Sequence, residues 1–295
     1  STDGDGNIAI GYDALSNASV SEDFNIAIGY DTMKGVDEGT AGGDADHNIA
    51  LGANTLYGGD FAGNDRQLQG NIAIGSYALD ATAANAHTGT IAIGHEALTA
   101  ATTATANTAI GYKAGQLIVA GDYNTYIGYE CGSANTTSSY STSNSNTAIG
   151  YMAGRRIGTG GGGDNNVYVG KEAGLSSTTG DNNVAVGANA LDAETTGHGN
   201  VAIGKNALGL AYTGGYNVAV GYHAGDAITV GSTNIAIGYE ALSAEQQGWA
   251  TVAIGQEAGT FQNKGSTGAT FNTYVGHTTG NFNVTGLRNT AIGAY

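Results

Sequence analysis

The sequence predicts an all-β chain wound as a parallel β-solenoid of about sixteen coils. Three observations predict it. A nine-residue phrase, clearest at Asn234-Ile-Ala-Ile-Gly238-Tyr-Glu-Ala-Leu242, recurs sixteen times in 295 residues. The copies follow a base period of 17 residues, with insertions of up to six. Each copy places apolar residues at alternate positions ahead of a glycine, at Gly11, Gly29, Gly52, Gly75, Gly94, Gly111, Gly128, Gly150, Gly170, Gly187, Gly204, Gly221, Gly238, Gly255, Gly276 and Gly293.

Each position of the phrase has a physical role. Asn opens fourteen of the sixteen copies, with Thr90 and Thr251 as the exceptions. Stacked amides can hydrogen-bond from one coil to the next, and that is the role expected of the column. A three-residue strand follows. Ile, Val or Leu precedes the glycine in every copy, and the residue two places earlier is Ile or Val eleven times and Thr five times (Thr108, Thr125, Thr147, Thr273 and Thr290). β-Branched residues favour extended backbone. Side chains alternate along a strand, so these two columns share one face, and that face is expected to be the core.

The residue between them is Ala thirteen times and Tyr three times. It is expected to point outward. Ala9, Ala27, Ala109, Ala185, Ala202, Ala219 and Ala236, with Tyr126, Tyr168 and Tyr274, then form an apolar strip along the outside. A continuous outward apolar strip marks a mating surface, so lateral self-association is expected through it. The glycine closes the strand by permitting positive φ or a close backbone approach.

No coil of this length folds alone; stacked neighbours supply the ladder hydrogen bonds and the shared core. At a strand spacing of about 4.8 Å, sixteen coils predict a rod roughly 70–75 Å long. The repeat runs through residues 1–295 as a single repetitive domain, without an obvious linker. The first five copies end mostly in Ala-Leu, and copies six to nine end in Ala-Gly or, once, Cys-Gly. Copies nine to fourteen are the most regular stretch. The chain begins and ends in mid-repeat, as expected of a segment of a longer fibre.

Composition narrows the function classes. The chain holds 51 Gly and no Pro, and the absence of Pro fits strands that must donate to a ladder. Nine basic against 25 acidic residues give a net charge of −16, which repels nucleic acid and anionic lipid. No apolar run reaches membrane-spanning length. Cys131 is the single cysteine and stands in a column of Ala, where a small packed side chain is expected.

Candidate sites are few. The residue after the glycine is Tyr in seven copies, including Tyr112, Tyr129 and Tyr151 in consecutive coils. A packing ladder is the expected role, with a sugar platform as the alternative. The next position carries Asp13, Asp31, Glu96, Glu130, Glu172, Glu240 and Glu257. Glu240 and Glu257 lie one coil apart, which would place their carboxylates about 5 Å apart, near the separation of a retaining glycosidase pair. Stacked acids acquire that spacing by geometry alone, so no enzyme is expected. Asp3-Gly-Asp-Gly-Asn7 resembles part of a calcium loop but lacks its first Asp and its bidentate Glu. It is expected to be a turn, with weak calcium binding as the minor alternative; no other cofactor is implied. The six His residues are scattered and do not predict zinc. Arg155-Arg156 is too small a basic feature for nucleic acid. Asn17, Asn135 and Asn283 begin glycosylation sequons.

Val184-Ala-Val-Gly187 and Ile235-Ala-Ile-Gly238 resemble the core of the repeats in head domains of trimeric autotransporter adhesins of the YadA-like type. Asn165 and Asn182 fall at that family's Asn position, and Ala190 and Ala241 stand where it has Ser. The likeness runs from Asn7 to Gly293, with a longer period than the family's. Asn146-Thr-Ala-Ile-Gly-Tyr-Met-Ala-Gly154 is equally similar to repeats of phage tail-fibre and environmental surface-fibre proteins. The resemblance implies a left-handed parallel β-roll, three chains joined in an adhesive head, and a place outside the cell or on a virion. The expected function is therefore a structural fibre or adhesin segment that associates with itself, laterally as a trimer or end to end, and that meets a surface glycan or host protein through its loops. The alternative is a carbohydrate-binding or carbohydrate-degrading fibre tip.

Overall fold

A computed structural model describes residues 4–17, 22–36, 44–58, 67–82, 86–134, 141–263 and 265–294. The chain divides into two compact units, Ser1–Asn146 and Thr147–Tyr295. In both, the phrase forms a three-residue strand that pairs in parallel with its neighbours in sequence order, as where Val201–Ile203 lies between Val184–Val186 and Val218–Val220. Seven phrase strands stand in the first unit and nine in the second. The solenoid has about fourteen turns rather than the expected sixteen. No α-helix forms among the described residues, and hence none long and apolar enough to cross a membrane.

The Asn column is an internal amide ladder. The Asn217 N–H donates to Asn200 Oδ1 at 2.9 Å, and Asn217 Oδ1 accepts from the Asn234 N–H at 3.0 Å. Asn217 Nδ2 donates to the Gly231 carbonyl at 2.9 Å, holding the returning loop to the strand. The same pattern holds at Asn25, Asn48, Asn124 and Asn183, and Asn272 likewise accepts from the Asn289 N–H; all five are buried. Each amide thus satisfies backbone groups that would otherwise be stranded inside the coil.

The phrase glycine ends the strand with φ near +135°. At Gly187 (φ +138°) a Cβ would stand 2.6 Å from the carbonyl oxygen of Gly204 on the next coil. Both the dihedral and the close approach exclude a side chain.

The inside and outside of the strand are the reverse of the expectation from hydrophobicity. Ala27, Ala109, Ala185, Ala202, Ala219, Tyr126 and Tyr168 have no exposed surface, and Ala236 and Tyr274 have 1%. They line the core and cannot form an external strip. Ala9 alone is exposed, in Ile8–Ile10, whose one partner is Ile26–Ile28. The Ile and Val columns, and the Thr residues that share them, point outward and stay half-exposed. The reason is volume. The interior of so short a coil is already filled by the Asn amide, by the Ala or Leu at the following corner and by the side chain at the strand centre, so only a small residue fits there at native packing density.

The three Tyr exceptions show the same rule from the other side. Tyr126, Tyr168 and Tyr274 fit because the corner residue four places after the phrase glycine, often Leu, is Gly both in their own coil and in the coil before. A Cβ at Gly174 would stand 2.6 Å from the Tyr168 ring, and one at Gly154 would stand 2.9 Å from it. Gly115 and Gly132 make room for Tyr126 in the same way, as Gly259 and Gly280 do for Tyr274. The corner takes positive φ whether it is Leu191 (φ 54°) or Gly174 (φ 59°), so the exchange answers to volume and not to backbone.

Candidate functional site

The outward face of the strands is the candidate site. In the second unit it carries Val167 and Val169, Val184 and Val186, Val201 and Ile203, Val218 and Val220, Ile235 and Ile237, and Val252 and Ile254 in register. Ile203, Ile237 and Ile254 are 40%, 36% and 37% exposed. β-Branched side chains on a flat ladder leave no polar atom at the surface between them. These six strands at about 4.8 Å, with two columns about 7 Å apart, make an apolar strip on the order of 200 Å², flanked by strands in which Thr147, Thr273 and Thr290 share the outward face. A continuous apolar strip of this kind is a candidate contact surface.

The Tyr column runs along one edge of the strip. Tyr12 and Tyr30, His95 and Tyr112, Tyr112 and Tyr129, and Tyr222 and Tyr239 stack with centroids 5.1–5.6 Å apart and planes within 15°. Within these runs each ring covers a face of its neighbour. Lys113 and Lys205 lie over the rings of Tyr112 and Tyr222 at 5.4 and 5.7 Å. A sugar that stacks on an aromatic face finds that face occupied inside the ladder.

The acidic column engages partners within the chain. Lys34 bridges Asp13 at 3.0 Å and Asp31 at 3.2 Å, and these bonds raise the Lys34 pKa. Lys113 reaches Glu96 at 3.3 Å. Glu172 accepts from Lys171 and from Asn189, both at 3.2 Å. Glu240 lines a groove with Tyr222, His223, Asp226, Tyr239 and Ser243, and Glu257 is not part of that groove. The hydrogen bond that Tyr239 donates to Glu240 is the main cause of that phenol's raised pKa. In the same groove His223 Nδ1 meets Asp226 Oδ2 at 2.6 Å, and its Nε2 meets Asn206 Nδ2 at 3.1 Å, so both ring nitrogens are engaged.

Among the described residues no three His, Cys, Asp or Glu side chains converge to hold a metal ion. Asp3 lies outside the described residues. At the rest of that turn the Asp5 N–H donates to Asp23 Oδ1 at 2.6 Å, so the Asp23 carboxylate caps backbone there. Cys131 is buried, in keeping with its Ala column. Of the sequons, Asn17 is exposed and Asn135 lies outside the described residues. Asn283 is partly buried, and its amide nitrogen donates to Tyr274 Oη at 2.5 Å.

The sequence did carry a signal for the correct face. Every strand with a central Tyr also has Gly at the following corner, as in Tyr126 with Gly132, Tyr168 with Gly174 and Tyr274 with Gly280. Two positions that exchange volume must share one interior. No protein-family model, curated protein or solved structure matches this chain.

Proposed function

We propose that this chain is a structural segment of an extracellular fibre or adhesin, and that it associates side by side with further copies through its Ile and Val face. The observation that supports this reading is the outward column of Ile, Val or Leu immediately before every phrase glycine, of which Ile203, Ile237 and Ile254 are the most exposed on interior strands of the second unit. Burying such a ladder against an identical one is favourable at about 25 cal/mol per Å² of apolar surface. Two or three copies would each cover a strip that water solvates poorly. The resemblance to trimeric adhesin heads and to surface-fibre repeats supports the same class of role and favours three copies. A place on a cell or virion surface, and attachment to a glycan or host protein through the loops, belong to the same proposal.

The test is the mass of the chain in solution. Sedimentation velocity or mass photometry is expected to show a closed oligomer. Ile203→Glu with Ile237→Glu is expected to shift it to monomer without changing the far-UV circular dichroism, because both side chains leave the core untouched. A wild-type chain that stays monomeric at every attainable concentration would overturn the proposal.

A further inference from the structure

A second kind of surface lies on the returning loops of the second unit. A groove of about 420 Å³ is lined by Val230, Ser232, Gln247, Trp249, Thr267 and Gly268. No lining residue is charged, although the chain carries −16. Trp249 is the single tryptophan and is 46% exposed.

Its neighbours explain the exposure. Trp249 pairs with Ala269 in the short ladder formed by Gly248–Trp249 and Gly268–Ala269. On its other side the Ala250 N–H donates to the Ser232 carbonyl at 3.3 Å, which sets Ser232 on the preceding rung. Ala269 and Ser232 are both too small to cover an indole. The Tyr column is built differently, since each ring there faces another ring.

The polar side of the groove follows from the same column. On other rungs, a side chain caps the backbone N–H of the residue one coil earlier. The Asp164 N–H donates to Asp181 Oδ1 at 2.7 Å, the Asp181 N–H to His198 Nδ1 at 3.0 Å, and the Gly215 N–H to Ser232 Oγ at 3.2 Å. Trp249 stands next in that series, and an indole is a donor only. The Ser232 N–H therefore has no acceptor among the described residues and remains open beside the ring.

We propose that this groove binds a pyranose ring of a neutral glycan. The apolar C–H face of the sugar lies on the indole, and a ring hydroxyl accepts from the Ser232 N–H. The Gln247 amide, on the same rim, offers a second donor and an acceptor. The volume suits a small ligand, within the roughly 300–1,000 Å³ usual for such sites. Net negative charge disfavours acidic sugars. The groove is independent of the Ile and Val face, so it is tested separately from self-association.

Because the chain has one tryptophan, its fluorescence reports this groove alone. The full chain is titrated with cellohexaose, maltohexaose and chitohexaose, and with hexagalacturonate as the acidic control. A saturable shift in emission is expected with at least one neutral hexasaccharide, with a Kd on the order of millimolar for a shallow one-ring site. Trp249→Asp removes the indole and restores an acceptor for the Ser232 N–H, as Asp181 does for Asp164, so it is expected to fold. By calorimetry that variant is expected to lose at least about tenfold in affinity, equivalent to 1.4 kcal/mol. No shift with any neutral hexasaccharide, a response to hexagalacturonate alone, or unchanged binding by a folded Trp249→Asp chain would each overturn the proposal.

Discussion

Glu194 is the residue whose perturbation has the most readily calculated consequence. It is fully buried, and neither carboxylate oxygen meets a hydrogen-bond partner in good geometry. Glu245, three coils later in the same column, shows the alternative: its Oε1 accepts from the N–H groups of Gln246, Gln247 and Gly248 at 3.0, 3.1 and 2.7 Å. Burial is the main reason that the Glu194 pKa rises from an ordinary 4.5 to about 7; Ser177 and the Gly197 N–H pull it partly back, and Asp181 pushes it further up. The Tyr168 hydroxyl, also facing this space, is committed to Ser177 Oγ at 2.8 Å. A carboxyl whose folded pKa exceeds its unfolded one binds its proton more tightly in the folded chain. Its contribution is therefore fully present below about pH 4.5, falls as pH rises, and is lost above about pH 7. At about 1.4 kcal/mol per pH unit over that interval, the loss is about 3 kcal/mol. Glu194→Gln cannot ionise and does not suffer it. Guanidinium denaturation of both chains at pH 4.5 and pH 8, followed by circular dichroism, is expected to show the variant gaining about 3 kcal/mol on the wild type between the two pH values. The amide's own packing cost cancels, since it is the same at both. So does titration of Asp80, which burial raises to about 6 in both chains. A gap that changes by less than about 1 kcal/mol would refute the assignment of a buried, unpaired carboxyl.

Two further predictions test the coil itself. Gly187→Ala would force a Cβ against the Gly204 carbonyl at φ +138°, and it is expected to destabilise the second unit by about 3 kcal/mol, read as a lower denaturation midpoint. Asn217→Ala leaves the Asn234 N–H and the Gly231 carbonyl buried without their partner. It is expected to cost about 2–4 kcal/mol, with faster amide exchange at Asn234 than at Asn183.

The stack was readable from the period, and the Asn and Gly columns from residues that suit few other roles. Which face of the strand points inward was not readable from period two, because alternation groups residues by face without naming the inner one. Ranking by hydrophobicity chose Ile over Ala and failed, since apolar residues also make up much of a folded surface. Glu194 and Trp249 were hidden for another reason. Both sit in the variable half of the coil, where the phrase gives no register, and their meaning depends on neighbours 17 or 20 residues away. Glu194-Thr-Thr-Gly197 and Glu245-Gln-Gln-Gly248 share a pattern, yet Glu245 receives three N–H bonds in good geometry and Glu194 none.

The inverted strand also bears on how such a chain can vary. The core column accepts Ala, or Tyr where paired glycines make room, so its composition is fixed by the volume of the coil. The outward column is free of that limit, yet it holds Ile, Val or Leu immediately before every phrase glycine. A solvated surface at one coil in seventeen residues would tolerate polar substitution at least somewhere in sixteen copies, as the column two places earlier does with its five Thr residues. β-Propensity favours Ile and Val by at most about 1 kcal/mol and favours Thr and Tyr as well, so it does not by itself exclude them from that position. Contact with a second apolar surface, as proposed, would exclude them, because a buried hydroxyl without a partner costs about 1–3 kcal/mol. Under the proposed self-association, the tightest part of the interface would be the column that includes Ile203, Ile237 and Ile254, and the looser part the column that includes Thr108 and Thr147.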